Sequence, residues 1–531
     1  MNVDLTDVMS DGDGKFRECR LNVMTSKVLL VVIDAATPHV VCPAIQTGQL
    51  PTMRRLAEIG DMHQASVTIF PSITPAATST IITGGYPAEH GIAGASWFDA
   101  SRQEVAYYGD DFWIILREGF GHFINDFLLR LNGDRMKAPT LFEMIERSGR
   151  SAGCLNYLVF KGSFPHRVNM PGVIAALPGV PFTEIIEGPS ILSLGDFVGT
   201  HTPSGHKVTE KGGAIHRFGM DDASTGAMLK DLASRNALPE FTVAYFADND
   251  YVSHEVGPVA ALPVVERVDR MLGEAFDAAG GIDRFLQDTA VVLTSDHGHC
   301  EVLGDPSSVI RLDQLLGNFR QAALGKAWQP ADQVMICPNM RATQIYVQHP
   351  TSELIQKIAV AALVDPKVDQ VIWRSQLTGG TSGYTVLTHR GRVEFARDGA
   401  SNTVVDDFGG QWSWSGEAAA LDFDVEGRTL SYRQYPNAFE RIAGVLDLDK
   451  SGEIWVTAKP GAEFEVPGGK AHVGGASHGA LHQLDSLSPV IVAGGAAPRR
   501  LPKKMRSVDI APLCMQILGI PMRYQVGDPR K

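Results

Sequence analysis

Four apolar runs in this chain each lie next to a small cluster of acidic or imidazole side chains. VLLVVID (28–34) is a run of β-branched and leucine residues closed by Asp34. FTVAYFADND (241–250) and TAVVLTSDHGH (289–299) have the same form, and a fourth run, SPVIVAGG (488–495), follows GGASHGALH. Continuous runs of this kind are strands buried on both faces of a parallel sheet. Helical patterns lie between them, such as Pro263–Ala278 with Val264, Val265, Val268, Leu272 and Phe276 on one stripe. The alternation predicts an α/β fold, with a mostly parallel central sheet and helices on both faces. Ligands of such sheets gather at the C-terminal ends of strands, where the polar clusters fall.

Length and composition narrow the function. The 531 residues are 44% hydrophobic and 20% charged, which excludes wholesale disorder, collagen and coiled coil. With 47 basic against 60 acidic residues the formal net charge is −13. A chain this acidic is poorly suited to a nucleic-acid polymer, although bound metals would let it accept a small phosphorylated substrate. The cysteines at 19, 42, 154, 300, 337 and 514 form no CxxC pair and read as reduced thiols of a cytoplasmic protein. The first 24 residues lack the basic-then-apolar order of a signal peptide. The apolar run at Val28–Ile33 is too short to span a bilayer, so no membrane partner is expected.

Four segments follow from changes in texture. Residues 1–26 read as an N-terminal extension. Residues 27–339 form the first part of the core, interrupted by cap-like stretches within 101–225. Residues 340–466 read as an inserted α+β domain, with strands such as ATQIYVQH and GYTVLTHRGRVEFA and helices at Glu353–Leu363 and Pro436–Val445. Residues 467–531 return to the core. The stretches 101–225 and 340–466 are expected to roof the site and set specificity.

The chemistry-bearing residues sit at the predicted strand ends: Asp34; Asp250 and His254; Asp296 and His297; and His478 before the last strand. Singly, such an Asp is a cap or turn residue and such a His a turn residue. Together they supply three carboxylates and three imidazoles, a donor set for two divalent metal ions. The candidate nucleophile comes from IFPSITPAATSTIITGGYPAEHGI (69–92). Thr74 precedes Pro75, and Ala76–Ile82 is a helical run ending at Gly84, so Thr74 reads as an N-cap with Pro75 at the first helical position. Its hydroxyl then either merely caps the helix or faces a phosphate held at the helix N-terminus.

This ordered set of motifs (strand-Asp, FPSITP with TGGYPAEHGI, DNDYVSHEVGP, SDHG and GASHG) resembles the alkaline phosphatase superfamily. Within it the chain looks most like the type I phosphodiesterase/nucleotide pyrophosphatase branch, with phosphonoacetate hydrolase as a relative. The resemblance covers residues 27–99, 241–299, 470–492 and 503–520. It implies that Asp34, Thr74, Asp296 and His297 hold one metal and that Asp250, His254 and His478 hold the other. Asp248, His299 and His482 are then bystanders in their clusters. The branch places an Asn shortly after its HGI segment to help bind a phosphoryl oxygen; the matching position here is Ala95, followed by Ser96.

The implied activity is a two-metal hydrolase of phosphate esters, with Thr74 as nucleophile and a covalent phospho-threonine intermediate. Zn2+ suits the mixed donors best, with Mn2+ or Fe as alternatives. A phosphonate (C–P) hydrolase or a phosphomutase on the same core, or a non-catalytic metal-stabilised binding protein, are the rival readings. The partner expected is a small phosphorylated or phosphonate substrate. Lys161, in NYLVFKGS, is a candidate contact for phosphate or carboxylate, against the alternative of a plain surface lysine.

Overall fold

β1 (Lys27–Ile33) is buried along nearly its whole length, and its side chains divide between two cores. Val28, Leu30 and Val32 join one apolar cluster, while Leu29, Val31 and Ile33 join the other. Alternate side chains of a strand point to opposite faces, so both faces of this sheet are covered. In the computed structural model the described residues are 27–108, 125–170, 183–208, 212, 214–397, 403–465 and 470–522. The N-terminal extension expected at 1–26 lies outside them, as does Cys19.

The central sheet has seven strands: β1, β2 (Asp61–Val67), β3 (Ala152–Leu155), β4 (Ile191–Ser193), β5 (Phe241–Phe246), β6 (Thr289–Thr294) and β7 (Leu487–Ala493). Their order across the sheet is β2-β7-β6-β1-β5-β3-β4. The β6-β1-β5-β3-β4 block is parallel throughout. β7 runs antiparallel to both β6 and β2. That reversal has a consequence for the site. The residues before β7 share a sheet edge with the residues after β1, β5 and β6, so His478 lies beside the other clusters.

Helices α1 (Thr74–Thr83) and α6 (Ile510–Ile517) cover one face through Ala76, Ile81, Ile82, Ala511 and Met515. Helices α2 (Asp222–Ser234) and α4 (Leu262–Ala278) cover the other through Leu229, Leu232, Val265, Val268 and Leu272. Between them in sequence, α3 (Asp248–Val256) follows directly from β5. The sequence placed 101–225 outside the core, yet β3 and β4 come from within it. Strands of four and three residues carry too little pattern to be read.

A second, ten-stranded sheet runs from Val334–Asn339 through Ile454–Ala458. It begins ahead of the residue-340 boundary because Val334–Asn339 pairs antiparallel with Ala342–Val347 as a hairpin. The segment Ser352–Ala362 and helix α5 (Ala438–Leu446) pack on it in separate cores. Among the described residues no helix is long and apolar enough to cross a membrane.

Candidate active site

Asp34 sits where β1 ends. Its amide continues the ladder to Phe246 O at 2.8 Å, and Ala35 then turns the chain with φ of 53°. The Tyr245 hydroxyl donates to Asp34 Oδ2, and Asn249 Nδ2 donates to the Asp34 carbonyl at 2.8 Å. Asp34 Oδ1 has no hydrogen-bond partner and lies 3.5 Å from His297 Nε2. Asp296 Oδ1 accepts from the amides of Ala35 and His297, while its Oδ2, also without a hydrogen-bond partner, lies 3.5 Å from the same Nε2. Thr74 Oγ1 is 3.0 Å from that nitrogen. Three oxygens from three elements therefore converge on one imidazole.

The second group is built on α3. Asp250 and His254 stand one turn apart, the spacing that puts two side chains on one helix face. His254 Nδ1 lies 2.8 Å from Ala476 O, and His478 Nδ1 lies 2.8 Å from Ser72 O. Carbonyl oxygens only accept, which assigns the ring protons to Nδ1 and turns each Nε2 lone pair inward. Those Nε2 atoms lie 3.4 and 3.7 Å from the two carboxylate oxygens of Asp250. Asp250 Oδ1 and His478 Nε2 have no hydrogen-bond partner. The rings of His297 and His478 stack at 3.7 Å and 15°, joining the two groups.

Donor atoms fall into two sets, each within 4.8 Å: Asp34, Asp296 and His297; and Asp250, His254, His299 and His478. Burial, then the carboxylates of Asp296 and Asp250, push the Asp34 carboxyl well above its usual range. Burial and the His297 imidazole push His478 well below its usual value. At Asp250 burial opposes ionisation, but the imidazoles of His254 and His299 outweigh it and hold the carboxyl well below the usual range. Buried carboxylates and imidazoles with inward, partnerless atoms are costly unless a cation completes them. This donor set fits divalent ions of the Zn2+, Mn2+ or Fe type.

Two expectations about α1 resolve differently. Ile73, not Thr74, occupies the N-cap position, and no side-chain cap bond is made. The Thr74 hydroxyl is thereby not engaged in capping and faces the cluster. Its neighbours are committed elsewhere: Ser72 Oγ donates to Ala480 O at 2.9 Å, and Thr78 Oγ1 donates back to Thr74 O at 2.6 Å.

Of the three bystanders, Asp248 pairs with Arg217 and His482 accepts from the Leu484 amide at 3.2 Å, both outside the donor sets. His299 does not stand apart; it enters the second set. Lys161 is turned away. Asn132 Oδ1 takes the Phe160 and Lys161 amides, and Lys161 Nζ donates to Met136 O at 2.8 Å, away from the cavity.

A cavity of about 300 Å³ opens over Asp34, Thr74, Asp250 and His478. Its walls are Tyr108, Phe127, Leu158, Phe197, Phe218 and Tyr251, and Arg217 is the one cation among its described lining residues. The roof thus comes mainly from 101–225. Among the described lining residues the insertion contributes only Met340, at its start. Ala95 lines the cavity without a polar side chain, and the nearby Asn339 does not substitute. Its Oδ1 takes the amides of Ala95 and Ser96, and its Nδ2 donates to Ser96 O. Tyr245, Asn249 and Arg217 were not singled out from the sequence. Tyr245 and Asn249 sit inside the strand-end run 241–250, where only the Asp and His residues carried a chemical signal.

A mostly parallel sheet with buried carboxylate and imidazole groups at its strand ends is the architecture of the alkaline phosphatase superfamily. The model of the type I phosphodiesterase/nucleotide pyrophosphatase family matches residues 28–381, two thirds of the chain. The chain belongs to that family. Murine ectonucleotide pyrophosphatase/phosphodiesterase 5 shares the fold with TM-score 0.56 at 14% identity, over 93% of this chain and 95% of that one. A phosphonoacetate hydrolase from Sinorhizobium meliloti, solved with phosphonoacetate, aligns with TM-score 0.53 at 16% identity, over 93% and 96%. Among curated proteins, the 2,3-bisphosphoglycerate-independent phosphoglycerate mutase of Aliarcobacter butzleri is 32% identical over 99 residues, 19% of each chain. The Campylobacter jejuni mutase is 41% identical over 66 residues, 12% of each. The chain therefore matches less than a fifth of the length of these curated relatives.

Proposed function

We propose that this protein hydrolyses small phosphodiesters with two divalent ions and Thr74 as nucleophile. Asp34, Asp296, His297 and Thr74 would hold one ion, and Asp250, His254 and His478 the other. When bound, such ions polarise phosphoryl oxygens and acidify the hydroxyls that touch them. The observation carrying this reading is the Thr74 hydroxyl. It is uncapped, 3.0 Å from His297 Nε2, and opens into the cavity. Thr74 Oγ1 bonds to phosphorus as the ester bond breaks, and the leaving group departs with the electron pair. Water then cleaves the ester to Thr74, releasing the substrate's remaining phosphate monoester and restoring the hydroxyl. The N-terminal end of α1 favours the anionic phosphoryl group, and the Tyr245 hydroxyl fixes Asp34 in orientation.

The walls support an apolar or aromatic leaving group. Arg217 is already paired with Asp248, and Lys161 points elsewhere, which weighs against a second carboxylate on the substrate. The likeness to phosphonoacetate hydrolase and the short mutase matches keep C–P cleavage and phosphoryl return as the rival chemistries. We place the protein in the cytoplasm; Cys42, Cys154, Cys300 and Cys514 are free and buried.

A substrate panel tests the reading: bis-p-nitrophenyl phosphate, p-nitrophenyl phosphate, a phenylphosphonate ester and phosphonoacetate. The diester is expected to be turned over fastest. Preferential cleavage of phosphonoacetate points to the C–P reading. Phosphoryl transfer from one substrate hydroxyl to another without free phosphate points to a mutase. No turnover on any of them in metal-loaded protein refutes the hydrolase reading.

A further inference from the structure

We propose that His299 is a fourth protein donor of the second metal group, so that one ion is held by Asp250, His254, His478 and His299. The proposal rests on the two-metal reading above and goes beyond the ligand set that the family resemblance implies.

The backbone places His299 there. Cys300–Glu301 pairs antiparallel with Ala476–Ser477, with Cys300 opposite Ser477. One residue further along that register, His299 faces His478. The two rings are nearly parallel, 17° apart, with centroids at 5.1 Å. The His299 amide donates to Thr37 Oγ1 at 3.0 Å, and the preceding Gly298 amide donates to Asp485 O at 2.9 Å. Gly298 lies so close to the Leu484 carbonyl oxygen that a Cβ would come within 2.5 Å of it. The segment cannot swing the imidazole away without breaking these contacts.

The ring itself is fully buried, and neither nitrogen has a hydrogen-bond partner. A buried imidazole left in this state is costly. Nε2 lies 2.9 Å from Asp250 Oδ1, but not in the alignment of a hydrogen bond. That separation belongs to a series: His254 Nε2 lies 3.4 Å and His478 Nε2 3.7 Å from the same carboxylate. Donors about 2.0–2.1 Å from a common tetrahedral ion stand roughly 3.3 Å from one another. The three separations bracket that value. Three imidazole nitrogens around one carboxylate describe a nearly closed ligand set, whereas the first group has one imidazole and relies on the Thr74 hydroxyl. The second ion is accordingly held more tightly than the first.

The alternative is that His299 acts one step removed, as a donor that orients Asp250. Cobalt-loaded protein separates the two. Each imidazole bound to Co2+ gives a hyperfine-shifted N–H proton signal; wild type is expected to give four, from His254, His297, His299 and His478. His299→Gln is expected to give three and to weaken one ion at least tenfold in chelator competition, leaving the other unchanged. Three signals in wild type overturn the proposal even if the variant fails to fold. So does a His299→Gln spectrum that keeps all the wild-type signals. Failure to take up Co2+ at all, or no shifted N–H signals, refutes the underlying two-metal reading instead. His482→Gln serves as a control that leaves the count unchanged.

Discussion

Tyr245→Phe isolates the hydrogen bond that the Tyr245 hydroxyl gives to the Asp34 carboxylate. The Tyr245 ring is buried and meets Tyr157 edge-on at 5.5 Å and 84°. The substitution removes a single oxygen and leaves that packing in place. What it strips is the donor to Asp34 Oδ2. A buried carboxylate oxygen that loses a charge-assisted bond costs about 1.5–3 kcal/mol. With about 1.4 kcal/mol per tenfold change, that is roughly a 10- to 100-fold weaker ion at the Asp34 group. Loss of a bond that orients a metal ligand has effects of about that size. Competition with a chromophoric chelator measures the affinity, and kcat/KM on the best diester measures the consequence. The ion held by Asp250, His254 and His478 is expected to keep its affinity, because its donors do not touch Tyr245. Thermal unfolding of the metal-free variant checks that the core is intact. A change of less than twofold in both affinity and kcat/KM would refute the claim that this hydroxyl orients the ligand.

Other expectations follow from the same geometry. Thr74→Ala should abolish turnover yet keep most metal, while Thr74→Ser should retain part of the activity; a single-turnover quench with a diester should trap the phosphoryl group, with its remaining ester, on the peptide containing Thr74, and label elsewhere would exclude it as nucleophile. Exhaustive chelation should abolish activity in two resolved steps, restored by Zn2+, and persistent activity in metal-free protein would contradict the site. Lys161→Ala should leave KM and kcat unchanged, because its ammonium is spent on the Met136 carbonyl. Asp222 offers a pH test away from the metal donors: burial raises its carboxyl to about 7, opposed by Arg217. Its folded-state value lies above the unfolded one, so the folded state binds more protons and stability falls as pH rises from about 4 to 7. Asp222→Asn should flatten that slope and raise stability at pH 8 by up to about 4 kcal/mol. An unchanged slope in denaturant melts across this range would rule the mechanism out.

The strand runs and the acid and imidazole residues beside them were legible in the chain itself. A strand buried on both faces has to be continuously apolar, and a residue that binds a cation has to be Asp, Glu, His or Cys, so both leave marks in one dimension. The four-residue step from Asp250 to His254 is of the same kind, because it is a property of one helix. Other features depend on segments far apart in sequence. β7 runs antiparallel, which brings His478 to the edge shared by Asp34, Asp250 and Asp296. Pairing of Cys300 with Ser477 draws His299 into a group from which the family resemblance left it out. Lys161 looked available until Asn132 and Met136 fixed its backbone and ammonium. The Tyr245 hydroxyl acquires a role only because β5 lies next to β1. Composition and local periodicity specify which groups a segment carries and which face it buries; which nitrogen meets which oxygen is decided by strand order and register, where a shift of one residue turns a ligand toward the opposite face of the sheet.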